Sequence, residues 1–227
     1  MEFFLYILMP LVCLFYYIHD KRRIVYLPVT ILSLVFSAVF CGLKAFFSFS
    51  YRIAPDNFFR NYAFFFLSES FIPVVVITGL LLGLSRDSLH YRVSAFFAAA
   101  LPYYAICIPY RVLSAAVPYP FFGLFIKPLL YLSMVVAYSI ILELLYGSAR
   151  TGKRKQVLFS VLGLIFVLCL PAFVETLWFS GKFFVLQIVI FCIYEGGVVE
   201  LCCLKKNKTM KEVLEYLMSI RFVVRGK

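Results

Sequence analysis

The sequence predicts an all-α, polytopic integral membrane protein, a bundle of about seven transmembrane helices. Three observations carry this prediction. Apolar residues make up 64% of the 227 residues and charged residues only 15%, an imbalance that a water-soluble domain of this size could not bury in a core. Long apolar stretches recur along the chain. Basic residues fall mostly into alternate connectors, a distribution that orients membrane helices.

The predicted spans are apolar windows of roughly 20 residues, the length that crosses the hydrocarbon core. They lie at 3–18, 24–43, 62–84, 93–110, 123–146, 157–179 and 183–204. The first span has Glu2 before it and three cations after it, the reverse of a secretory signal peptide, so we expect it to be retained. Residues 1–204 form the predicted bundle, and residues 205–227 form a basic cytoplasmic tail.

The distribution of cations predicts the orientation of the bundle. With the amino terminus outside and the carboxyl terminus in the cytoplasm, 16 of the 22 Lys and Arg residues lie on the inner side and six on the outer side. The positive-inside rule favours this arrangement. The net charge of +11 is therefore assigned to lipid headgroups and not to nucleic acid, and a bacterial inner membrane is the predicted location.

The tail contains a short amphipathic pattern. Thr209 and Glu212 have the spacing of a capping box, and apolar residues recur at helical spacing between Met210 and Met218. We expect this segment to lie on the inner membrane surface or to dock on a membrane or cytoplasmic protein partner.

Prolines are concentrated between Pro102 and Pro128. A proline removes a helical hydrogen bond, and in lipid the freed carbonyl must find a partner in a neighbouring helix, a hydroxyl or water. We therefore expect a kink in the fourth span and an irregular outer connection between the fourth and fifth spans; a simple loop rich in turn residues is the alternative.

Charged side chains within the spans are the candidate functional residues, because charge is costly in hydrocarbon. By helical rise, Glu69 lies roughly 10 Å and Glu175 roughly 6 Å from the outer ends of their spans, which puts both acids in one layer. Arg111 and Lys127, at the outer ends of the fourth and fifth spans, are the available countercharges. The pattern predicts a polar outer pocket.

Glu195 is the deepest acid, about 18 Å from the outer end of the seventh span. Gly196 and Gly197 follow it, and paired glycines predict a locally opened helix there, a structure that suits binding of an ion, a proton or a solute. A protonated glutamate bonded to a neighbouring helix is the alternative.

We therefore predict a membrane transport or solute-binding component, with Glu195, Glu69, Glu175 and Arg111 as substrate-binding residues. The alternatives are an integral membrane enzyme that acts on lipids through paired glutamates, and a sensor or scaffold without chemistry. The residues identify no cofactor and no catalytic group, and His19 and His90 do not form a recognisable metal site.

Overall fold

The structure, a computed structural model, describes residues 27–46, 57–84, 89–114, 126–181 and 184–205, and every regular element in these ranges is a helix. The helices are α1 (Leu27–Phe46), α2 (Phe58–Phe65), α3 (Ile72–Leu84), α4 (Leu89–Ser114), α5 (Lys127–Arg150), α6 (Arg154–Ser180) and α7 (Phe184–Lys205). A π-helical turn, Phe66–Phe71, joins α2 to α3, so these two form one continuous helix. The all-α prediction is confirmed for the described residues.

Six continuous helices thus occupy the positions of the second to seventh predicted spans. Four are long and apolar enough to cross a membrane: Phe58–Gly79, Lys127–Arg150, Arg154–Ser180 and Phe184–Leu204. The apolar parts of α1 and α4 are shorter, Leu27–Leu43 and Phe96–Ile108. The predicted span at 3–18 and the tail beyond Lys205 lie outside the described residues. The count of seven and the orientation therefore stay predictions.

The outer faces of the helices are apolar, as expected for contact with lipid. On α6 the most exposed large side chains recur at helical spacing, and each is more than half exposed: Leu158, Phe159, Leu162, Ile165 and Phe166. Soluble monomers rarely expose a continuous apolar stripe of this kind. The surface of the described helices is compatible with an integral membrane protein.

Helices α1 and α4 run parallel and are joined by hydroxyl groups. Pro102 has no N–H, so the carbonyl of Ala98, four residues earlier, has no helical donor. The Thr30 hydroxyl donates to this carbonyl at 3.0 Å, and the Sγ atoms of Cys41 and Cys107 lie 3.6 Å apart further along the same two helices. The expected hydroxyl partner for a freed carbonyl is therefore present, and α4 continues as an α-helix past Pro102.

Helix α5 lies at the centre of the described bundle. It runs antiparallel to α4, because Tyr131 packs on Tyr104 near one end and Tyr138 packs on Phe96 further along. Tyr131 is fully buried. The predicted irregular connection between these helices, residues 115–125, lies outside the described residues.

Helix α5 also runs antiparallel to α6. Lys127 contacts Glu175 at one end, and Ser148 contacts Gln156 at the other. Gly181 ends α6 with φ of +65° and donates its N–H to the carbonyl of Trp178, a left-handed conformation that favours glycine. Trp178 near the end of α6 packs on Phe184 at the start of α7, so α7 begins at the end of the bundle where α6 ends.

Candidate functional site

A buried lysine joins two of the predicted acids. The Lys127 Nζ atom lies 2.6 Å from Oε1 of Glu175 and 2.9 Å from Oε2 of Glu69. The Tyr131 hydroxyl donates to the second oxygen of Glu175 at 3.0 Å. Glu175 is 1% exposed, and Lys127 and Glu69 are 6% exposed each. We call these four residues the lysine–glutamate cluster.

The cluster connects three helical segments near one end of the bundle. Lys127 is the first residue of α5, and Glu175 lies five residues before the end of α6. Lys127 and Tyr131 are four residues apart and therefore lie on the same face of α5. Buried charges are stable only when they are paired and hydrogen-bonded, so the cluster fixes the position of the Glu69 segment against α5 and α6.

The π-helical turn that carries Glu69 has a local cause in the sequence. Pro73 follows Glu69 by four residues, so its ring clashes with the Glu69 carbonyl and its missing N–H leaves that carbonyl without a helical donor. The helix widens at Phe66–Phe71, and the Tyr104 hydroxyl donates to the Glu69 carbonyl at 2.7 Å. A hydroxyl of a neighbouring helix thus satisfies the backbone, as lipid requires.

The second predicted countercharge, Arg111, lies in α4. Its side chain is outside the described part of the chain, so its role as a substrate-binding residue stays a prediction. Lys127, named in the sequence only as a possible countercharge, makes the described ion pairs with both acids.

Glu195 lies in a separate place. It is eleven residues after the start of the 22-residue α7, which puts it about 17 Å along the helix by helical rise. The Ser133 hydroxyl of α5 donates to its Oε2 atom at 2.5 Å. Its Oε1 atom is buried and has no hydrogen-bond partner among the described residues. A carboxylate near the middle of a spanning helix is therefore only partly satisfied.

The expected opening of the helix beside Glu195 is not observed. Helix α7 continues as an α-helix through Gly196 and Gly197 to Lys205. Glycine weakens a helix in water, but an opened backbone facing lipid would leave its polar groups unsatisfied. An added Cβ at either glycine would meet nothing within 4 Å, so no close helix contact requires these glycines. The acid is thus held on a regular helix.

The two groups of acids lie on different faces of α5. Tyr131 and Ser133 are two residues apart, so their side chains leave the helix in directions about 160° apart. Tyr131 belongs to the lysine–glutamate cluster and Ser133 binds Glu195. Glu69 and Glu175 are therefore brought together, and Glu195 is not part of their cluster.

Within the described residues, no three His, Cys, Asp or Glu side chains are grouped as ligands for a metal ion. Comparison with protein-family models, with curated proteins and with solved structures finds no match for this chain. The lysine–glutamate cluster and Glu195 are the two polar sites of the described helices on which a function can depend.

Three contributing residues were not identified in the sequence: Tyr104, Tyr131 and Ser133. The sequence contained an indication of two of them. Tyr131 follows Lys127 by one helical turn. Pro73 predicts a freed carbonyl at Glu69 that needs a hydroxyl from another helix, the part that Tyr104 takes. Ser133 had no such indication, because serine in an apolar helix commonly bonds to its own backbone.

Proposed function

We propose that this chain is a membrane transport or solute-binding component that holds a small solute or ion at a polar site within the membrane, with Glu195 as the central group. One observation carries the proposal. The Glu195 carboxylate stands halfway along an apolar helix, with one oxygen bound by Ser133 and the other buried without a described partner. Acids at such depth are costly and characteristically lie on solute or ion pathways.

In this proposal Glu69, Glu175 and Arg111 shape the outer entrance. The ion pairs of Lys127 with the first two support this role, because they hold the π-helical turn and α6 in a fixed relation at one end of the bundle. The 16 cations on the predicted inner side favour insertion into a bacterial inner membrane, or another membrane with a cytoplasmic face. The tail, residues 205–227, would bind a membrane or cytoplasmic protein partner that supplies energy.

The test compares two glutamine variants on one helix. Glu195→Gln removes the proposed binding charge, and Glu200→Gln removes an exposed acid of α7 as the matched control. Purified protein in detergent is heated with sodium, potassium, methylammonium, an amino acid or a neutral sugar, because a ligand raises the melting temperature of the state that binds it. We expect stabilisation of the wild type and of Glu200→Gln by at least one solute, and none of Glu195→Gln.

A response of Glu195→Gln equal to that of the wild type for every stabilising solute would contradict the proposal, as would the absence of any stabilising solute. Uptake of the responding solute into proteoliposomes then separates transport from binding alone. If the glutamate variants leave binding, uptake and lipid turnover intact, the acids only pack helices, as in a sensor or scaffold.

A lipid-modifying enzyme is the second candidate, and one observation favours it. Paired carboxylates can move protons only if their helices bring them together, and Glu69 and Glu175 both contact the same ammonium group. Turnover of phospholipids measured in Glu69→Gln and Glu175→Gln tests this candidate. Turnover by the wild type that both substitutions abolish would favour it over transport.

A further inference from the structure

One face of α7 carries four buried polar atoms without a hydrogen-bond partner among the described residues. They are both amide atoms of Gln187, the hydroxyl of Tyr194 and Oε1 of Glu195. Gln187 is 2% exposed and Tyr194 is 5% exposed. Buried polar groups are nearly always bonded to protein or to ordered water, so these atoms require a polar occupant. We call the three residues the α7 polar row.

Helical geometry places Gln187 and Tyr194 on the same side of α7. Gln187 and Tyr194 are seven residues apart and leave the helix about 20° from each other, and Glu195 lies about 12 Å along the axis from Gln187. Val189 and Ile193 are 47% and 69% exposed and face outward. The row therefore faces the interior of the bundle, where the Ser133 hydroxyl of α5 donates to Glu195.

The separation of these groups decides what can occupy the row. Gln187 and Tyr194 are about 10 Å apart along the helix axis, and the polar atoms of both side chains have no hydrogen-bond partner among the described residues. Water or a polar solute between them would satisfy both groups. Gln187 lies within the first turn of α7, near the Trp178–Phe184 contact at the end of the bundle where α7 begins, so the row leads from that end inward to Glu195.

Resting on the proposed function of Glu195, we propose that the α7 polar row is a hydrated path that admits a small monovalent cation or a protonated amine to this carboxylate. The amide oxygen, the phenol oxygen and the carboxylate all accept hydrogen bonds or coordinate cations, and the negative end of the row opposes anions. The solute enters from the end of the bundle where α7 begins.

Accessibility of introduced cysteines tests the path. In permeabilised membranes containing the full chain with its native cysteines replaced by alanine, Gln187→Cys and Tyr194→Cys are treated with a permanently charged trimethylammonium methanethiosulfonate reagent. We expect them to react several-fold faster than the matched lipid-facing controls Val189→Cys and Ile193→Cys, because the reagent needs water. Equal or slower reaction at both row positions would overturn the path.

A second measurement avoids substitution. In the wild-type chain, hydroxyl radicals generated from water by X-rays oxidise side chains that lie beside water. Tyr194 should be oxidised several-fold faster than Tyr138, which is similarly buried at 7% exposure but has its hydroxyl 3.4 Å from Thr78 Oγ1. Equal protection of both tyrosines would contradict a hydrated row even if a cysteine variant failed to fold.

Competition identifies the solute class and separates this inference from the proposed function. Methylammonium or sodium should slow labelling of Gln187→Cys, and the added substitution Glu195→Gln should abolish this protection. Reactivity without protection by either cation overturns the cation assignment. If the cysteines of the row do not react but a solute still stabilises the protein through Glu195, the path is overturned and the proposed function is kept.

Discussion

Lys127 determines the local structure of one end of the bundle, because it neutralises charge that two other helical segments bury. Removing one partner of a buried ion pair leaves an unpaired charge and costs about 3–5 kcal/mol. Arg111 and Lys127 were equivalent countercharges in the sequence, and only the contacts distinguish Lys127. Its neighbour one turn along, Tyr131, supplies a further donor to Glu175.

The hydroxyl of Tyr131 can be tested without disturbing packing. Tyr131→Phe removes a hydrogen bond to a charged, buried acceptor, so we expect the free energy of unfolding in detergent to fall by about 1–3 kcal/mol. Tyr146→Phe on the same helix is the control, because Tyr146 is only partly buried and belongs to neither polar site; its effect should stay within about 0.5 kcal/mol. Similar losses in both variants would show that the bond to Glu175 contributes little.

At the scale of the elements, proline and hydroxyl groups act in pairs. Pro73 and Pro102 each leave a carbonyl without a donor, and Tyr104 and Thr30 each supply one from a neighbouring helix. The sequence predicted this need for the proline-rich segment but not the particular partners. The helix propensity of one segment carries no information about where another helix lies. A hydrogen-bond partner 35 or 68 residues away in the sequence therefore could not be predicted.

The closest described glycine contact between helices is at Gly163 of α6. A Cβ there would lie 3.4 Å from Cδ1 of Ile141 in α5. We expect Gly163→Ala to be tolerated and Gly163→Leu to lower the free energy of unfolding by about 1–3 kcal/mol through overpacking. Gly147→Leu in α5 is the control, since nothing lies within 4 Å of a Cβ there. Equal effects at the two glycines would argue against tight packing of α5 on α6.

On the scale of the whole molecule, the consecutive helices α4, α5 and α6 alternate in direction. Helices α1 and α4 are parallel, α4 and α5 are antiparallel, and α5 and α6 are antiparallel. Alternation is what successive crossings of a bilayer require, since a short connection stays on one side of the membrane and the next helix must cross back. It agrees with the order of predicted spans but does not assign a side of the membrane.

Labelling of introduced cysteines from one side of the membrane determines which ends of the helices face the cytoplasm. The positive-inside rule predicts that the connection after α5 is cytoplasmic and that the end of α6 is outside. In intact cells that express a chain with its native cysteines replaced, Ser180→Cys should react with an impermeant maleimide and Thr151→Cys should react only after permeabilisation. The reverse pattern would invert the orientation, and reaction of both in intact cells would exclude a crossing by α6.

The sequence by itself determined the helical class, the positions of the six described helices to within a few residues, and the acids that lie within the spans. These follow from hydrophobicity and charge, which act locally because lipid solvates each helix separately. Only the tertiary structure decided that Lys127 binds Glu69 and Glu175 together, that Ser133 meets Glu195, and that the two groups of acids face different sides of α5. Contacts between helices depend on their rotation and register, and many apolar faces satisfy lipid equally well, so side-chain partners emerge only when the helices pack.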